Sequence, residues 1–299
     1  MSVTTESTTT GTTTTVDSPG GARIAVVEHP APSGCAGGAT LVLAHGWCLA
    51  QQSWQPVVAE LQRRRPDLRV ITYDQPGHGR STSAPDRHVS LLDLGATLRA
   101  VIDATVPDGE VVLGGHSMGG MTIMALGEVD PGLVRDRVRG VALVGTAAHL
   151  PGRRGIPGEA LVMALLRRFP ATWRGLPTTP RLTAANLFGT DPDPAAVRAT
   201  AAMTRSTRAN VVADWHRALG ELDLRSAVAS FADVRTVVLT GAVDRLTPVS
   251  AGRRLAALVP GADLWMLPGV GHMITYEATT TVADKIELLL QAEPASERG

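Results

Sequence analysis

The chain has 299 residues, enough for one large domain with an insertion, and 44% of them are hydrophobic, enough for a sizeable buried core. Lys+Arg and Asp+Glu balance at 28 each, which leaves no electrostatic argument for nucleic acid or an anionic membrane as a partner. Two cysteines, Cys35 and Cys48, match neither a metal-site spacing nor a disulfide framework, and a reduced, cytoplasmic setting is the simplest reading.

The chain opens on SVTTESTTTGTTTTVDSP, with little apolar content, and residues 1–20 are expected to form a disordered threonine-rich tail. The tract lacks the basic start and apolar run of a signal peptide. No run of about 18 apolar residues follows, so no transmembrane segment is expected.

Ala22–Glu28 reads as an antiparallel edge strand. Ala39–Ala44, Arg69–Tyr73, Glu110–Leu113, Gly140–Val144 and Thr236–Thr240 are short β-branched apolar runs without alternation, the pattern of strands covered on both faces. Ala262–Leu267 is a further candidate. Helix-compatible stretches lie between and after them, at Gln55–Arg65, Leu91–Thr105, Met118–Glu128, Ser250–Val259 and Val282–Gln291. Alternating β and α segments predict an α/β architecture with a mostly parallel, doubly wound sheet.

The rhythm breaks over residues 149–222. Pro and Gly cluster first, then Glu159–Arg168, Ala195–Thr204 and Val211–Leu219 read as helices with no strand between them. This predicts a helical insertion covering the strand ends, flanked by core segments 21–148 and 223–292, with 293–299 a flexible C-terminus. Arg153, Arg154, Arg167 and Arg168 read as a solvated basic face of the insertion.

Chemistry is concentrated where predicted strands end. VVLGGHSMGG, residues 111–120, carries G-x-S-x-G between a strand and a helix, the context of a nucleophile elbow at Ser117. The chain holds 31 glycines, so the same pattern also suits a plain tight turn. Three further loops bear on the choice. His45-Gly46-Trp47 follows a strand, and the Trp47 amide could join that of Met118 as an oxyanion hole. Asp244 follows another strand, suited to orienting a histidine and equally to a turn or N-cap. His272 stands on a glycine-rich loop after the last strand. Asp74 and His78, in YDQPGHGRS, precede the serine and read as loop scaffolding. Serine, acid and histidine follow in the order Ser117, Asp244, His272.

HGW, YDQPGHGRS, GHSMGG, GAVDRLTP and PGVGHM together resemble the landmarks of the α/β-hydrolase superfamily over about residues 21–292, with likeness to actinobacterial members. The resemblance implies the α/β-hydrolase fold with a helical cap and a Ser117–His272–Asp244 triad. A serine at the elbow argues against the carboxylate-nucleophile relatives, and His116 argues against the carbon–carbon bond hydrolases. The expected activity is cleavage of a small-molecule or lipid-like carboxylic ester. The alternatives are a thioesterase or acyltransferase, a cofactor-free perhydrolase, or a non-catalytic binder on the same fold. No metal or organic cofactor is expected, and the chain is expected as a monomer or homodimer. The candidate substrate-binding residues are His45, Gly46 and His116 near the elbow, with Leu161, Leu165, Met203 and Trp215 from the insertion.

Overall fold

In a computed structural model, residues 6–8, 11–30, 38–86, 89–150, 159–170, 172–175 and 178–291 are described. Cys35, Arg153, Arg154 and the 293–299 tail lie outside the described residues.

Nine strands form one sheet: β1 (Glu6–Thr8), β2 (Gly11–Asp17), β3 (Arg23–His29), β4 (Thr40–Ala44), β5 (Val70–Tyr73), β6 (Val111–His116), β7 (Val138–Val144), β8 (Arg235–Gly241) and β9 (Asp263–Leu267). Their order is β1-β2-β3-β5-β4-β6-β7-β8-β9. The first three strands and the β3–β5 pair are antiparallel; from β5 to β9 every pair is parallel. Strands β4, β5 and β6 are buried at every position, which is why their sequences show no polar alternation.

The threonine-rich segment corrects the expectation of a disordered tail, because residues 11–17 are strand β2, in register with β3 from Thr12↔Glu28 to Asp17↔Arg23. Threonine is β-branched and suits a pleated strand. The segment needs no core of its own, because it borrows the edge of β3 and buries only Thr13 and Val16. The ordered sheet therefore begins before residue 21.

Helices cover both faces. On one side lie α1 (Gln55–Arg64) and α11 (Thr279–Leu290), whose Val57, Leu61, Ile286 and Leu289 share a core with Leu41 and Leu43 of β4. On the other lie α2 (Leu91–Thr105), α3 (Met118–Val129) and α9 (Val249–Leu258), packed with Val42 of the same strand. Successive β4 residues thus feed opposite cores, as strand geometry requires. The short α4 (Pro131–Arg137) and α10 (Ile274–Glu277) complete the layers.

Between β7 and β8 the chain inserts α5 (Glu159–Leu166), α6 (Pro180–Leu187), α7 (Pro194–Ser206) and α8 (Ala209–Gly220). Helix α8 docks on the core through Val211, Trp215 and Ala218. No helix among the described residues is long and apolar enough to cross a membrane.

Candidate active site

Strand β6 delivers Ser117 at its C-terminal end, where open α/β sheets place their ligands. The turn into α3 holds Ser117 at φ 54°, ψ −117°, a region that costs a non-glycine residue about 1–3 kcal/mol. Neighbours over-determine it. Its N–H donates to the Val144 carbonyl at 2.9 Å, and its carbonyl accepts from the Thr146 hydroxyl at 2.7 Å and the Gly120 N–H at 2.9 Å. The turn closes only because positions 115 and 119 are glycine. A Cβ at Gly119 would strike the Ala44 carbonyl, and one at Gly115 the backbone of Gly119.

The loop after β9 brings His272 to Asp244, which follows β8. His272 Nδ1 lies 2.8 Å from Asp244 Oδ2, and both side chains are buried. The carboxylate's other oxygen accepts from the Leu246 and Thr247 amides at 2.8 and 2.9 Å, and the Thr247 hydroxyl sits 2.7 Å from Oδ2. Burial pushes the Asp244 carboxyl up, but the charge and hydrogen bond of His272 with the Thr247 contacts outweigh it and hold the group below its usual range. An ionised Asp244 keeps the histidine proton on Nδ1 and leaves Nε2 with its lone pair.

Gly46 and Trp47 follow β4. A Cβ on Gly46 would come within 3.2 Å of the Ser117 Cβ, so the backbone after β4 lies against the elbow. Met118 is the first residue of α3, so its amide has no intrahelical acceptor.

Two histidines proposed for substrate contact do other work. His45 is buried: its Nε2 accepts from the Gln75 N–H at 2.9 Å, so Nδ1 carries the proton and donates to the Gly46 carbonyl at 2.7 Å. Burial lowers its pKa to about 4, which keeps it neutral. His116 is also buried and donates from Nε2 to the His272 carbonyl at 2.8 Å. Both are corrections: these rings brace the loops that carry Trp47 and His272, and neither reaches the cavity. Asp74 accepts from the Gln51 and Arg80 amides and His78 contacts the Pro76 carbonyl, so both scaffold their loop.

Ser117 and His272 open on a cavity of about 490 Å³ walled by Gly46, Leu49, Val162, Leu182, Leu187 and Met273 among others. Of the predicted insertion residues, Leu161 and Leu165 are 66% and 51% exposed and do not line it. Leu161 faces away while its neighbour Val162 lines the wall, a one-residue error on a helix whose faces are not distinguished by polarity. Met203 packs with the Leu49–Phe188 cluster, and it is the adjacent Thr204 that faces the cavity. Trp215 is buried in the core and donates from Nε1 to the Pro76 carbonyl at 3.0 Å, tying α8 to the 74–81 loop. Cys48 lines the same cavity, and burial pushes its thiol far above the ordinary range, so it offers no competing thiolate. Among the described residues no group of three or more His, Cys, Asp and Glu side chains is gathered to hold a metal ion.

Residues 41–285 match the family model described as alpha/beta hydrolase family. The chain belongs to the alpha/beta hydrolase family. It is 30% identical over 255 residues to a pimeloyl-[acyl-carrier protein] methyl ester esterase of Aromatoleum aromaticum, covering 78% of this chain and 90% of that one. It is 29% identical over 269 residues to the dihydrolipoyllysine-residue acetyltransferase component of an acetoin cleaving system of Pseudomonas putida, covering 85% of this chain and 64% of that protein. Among solved structures, a hydrolase from Pseudomonas aeruginosa superposes with a TM-score of 0.75 at 24% identity, covering 94% of this chain and 98% of that one.

The structure also brings in parts of this hydrolase that the motifs did not single out. The Glu277 carboxylate accepts from the amides on both sides of His272, those of Gly271 and Met273 at 3.1 Å, and from Gly189 of the insertion at 2.5 Å. The His272 amide itself donates to the Leu187 carbonyl at 2.7 Å. Helix α6, which supplies Leu182, Thr183, Asn186 and Leu187 to the cavity, is absent from the predicted elements. Its signal is Thr179-Pro180: the Thr179 hydroxyl caps the Leu182 amide, and proline fills the first turn.

Proposed function

We propose that this hydrolase cleaves a carboxylic ester of a small or lipid-like substrate through an acyl-enzyme on Ser117. The observation that carries the reading is that a strained Ser117 and the base of a His272–Asp244 pair open on one largely apolar cavity. His272 Nε2 takes the Ser117 proton as Oγ attacks the ester carbonyl. The Trp47 and Met118 amides receive the developing oxyanion. The ester C–O bond breaks, the alcohol leaves with the proton from His272, and the acyl group remains on Oγ. Water then gives its proton to His272 and its hydroxyl to the acyl carbon; the Oγ–C bond breaks and the proton returns to Ser117.

Residues 149–222 act in this reading as a cap, with α6 supplying one wall of the ester-binding cavity. Transfer of the acyl group to an acceptor other than water is the second reading, favoured by the name of the acetyltransferase relative. The two share every step up to the acyl-enzyme. Ester and thioester substrates compared with and without added alcohol separate them.

Ser117→Ala is expected to lower kcat on an activated ester by at least about 10³-fold and to abolish labelling by a fluorophosphonate, with the circular dichroism spectrum unchanged. Retention of wild-type turnover by the folded variant would falsify the assignment.

A further inference from the structure

Ser117 stands between two chambers. Besides the apolar cavity, it lines a second space of about 390 Å³, and Trp47 and Leu246 border both. The second chamber has an apolar wall from Met121, Leu150 and Leu219, and it is lined by Arg245 and Arg254. Among the described residues no carboxylate lines it and neither arginine is ion-paired. Some arginines elsewhere on the surface hold acids, as Arg64 does Asp284, Arg217 Glu221 and Arg225 Asp223, while Arg181, Arg198 and Arg235 stand without an ion pair among the described residues; what sets Arg245 and Arg254 apart is that both line a chamber that Ser117 also lines. Pro248 and Ser250, at the N-terminal end of the ten-residue α9, line the same chamber, so the helix dipole adds to the positive field there.

We propose that this chamber is a carboxylate subsite and that the substrate is an ester whose acyl arm ends in a carboxylate. The proposal rests on the acyl-enzyme reading, which also decides the direction of binding. His272 lines the apolar cavity and not the arginine chamber. The leaving oxygen must receive its proton from His272, so the alcohol arm lies on that side. The acyl arm runs past Met121 and Leu219 toward the arginines. Both arginines are solvent-exposed residues. Their contribution is therefore screened by salt.

The test compares kcat/KM for monomethyl adipate with that for methyl heptanoate, reading methanol release. A third substrate, the acetate ester of ω-hydroxyhexanoic acid, puts the carboxylate on the alcohol arm. The carboxylate-ended acyl ester is expected to be preferred by about tenfold at low salt, with the ratio falling as ionic strength rises. In Arg245→Gln/Arg254→Gln the ratio is expected to fall to near one. Equal rates for the two methyl esters, a preference that survives the double substitution, or a preference only for the alcohol-arm carboxylate would each overturn the subsite. Calorimetric titration of Ser117→Ala with the same two methyl esters reads the chamber without turnover. Arginine-dependent binding of the adipate ester with no turnover by the native enzyme would leave the subsite standing and remove the acyl-enzyme reading. Equal binding of both esters overturns the subsite in either case.

Discussion

The Asp244 carboxylate is held by the Leu246 and Thr247 amides and the Thr247 hydroxyl, and its contact with Nδ1 fixes the tautomer of His272. Asn at this position keeps the shape but offers an N–H where an acceptor is needed. Asp244→Asn is therefore expected to lower kcat by about 10³–10⁴-fold with little change in KM, measured by steady-state ester hydrolysis. Gly119 works at the same scale for a steric reason. A methyl group there meets the Ala44 carbonyl, which belongs to a central strand and cannot yield. Gly119→Ala is expected to destabilise the fold by about 2 kcal/mol or more in urea unfolding, while Ser117→Ala, at the same elbow, costs little.

Among the elements, the loop carrying His272 is held more by the insertion than by its own strand. Leu187 of α6 receives the His272 amide, and Glu277 of α10 gathers the amides of Gly189, Gly271 and Met273. The α6 wall of the cavity and the loop that carries His272 are thus one hydrogen-bonded unit. Removing the shared acceptor leaves the Gly189 and Gly271 amides to find water, leaves Met273 only the Leu187 carbonyl, and lets the imidazole drift. Glu277→Ala is expected to lower kcat by about 10- to 100-fold, because displacements near 1 Å cost that much in a positioned base. Hydrogen exchange at Gly189 and Gly271 is expected to quicken in the same variant, which a simple loss of global stability would not confine to these amides.

The molecule as a whole carries an acid-sensitive interior. Burial holds His45, His78 and His116 at pKa values of about 4, 3 and 3, against an ordinary value of 6.5. Below pH 6.5 the unfolded chain takes up protons that the native state refuses, so stability is full above that pH and falls as pH drops. Asp74 and Glu277, which burial pushes up, oppose this nearer their own range, so the histidine effect is clearest between pH 6.5 and 5. The melting temperature is expected to be flat above pH 7 and to decline through that window. A flat profile across it in a reversible melt would show these rings to be hydrated and free to titrate.

How much of this was legible beforehand follows from where the information sits. The parallel strands, the elbow and the order Ser117, Asp244, His272 could be read locally, because buried runs, glycines at a tight turn and residues at strand ends are properties of short segments. Helix α6 was legible in principle from Thr179-Pro180 but lay in a Pro- and Gly-bearing stretch that masked its start. The strand at 11–17 was not legible from composition, because its order comes from an edge supplied by β3. The roles of His45, His116 and Trp215 were not either: a histidine or tryptophan near a motif looks the same in sequence whether its ring faces a cavity or a backbone carbonyl. Sequence alone determined the types and chain order of Ser117, Asp244 and His272, the residues proposed to carry the chemistry, since these are intrinsic to the chain. Tertiary structure alone decided what surrounds them, the two chambers at Ser117 and the Glu277 clamp. Those contacts join segments far apart in the chain, where no local pattern records the pairing.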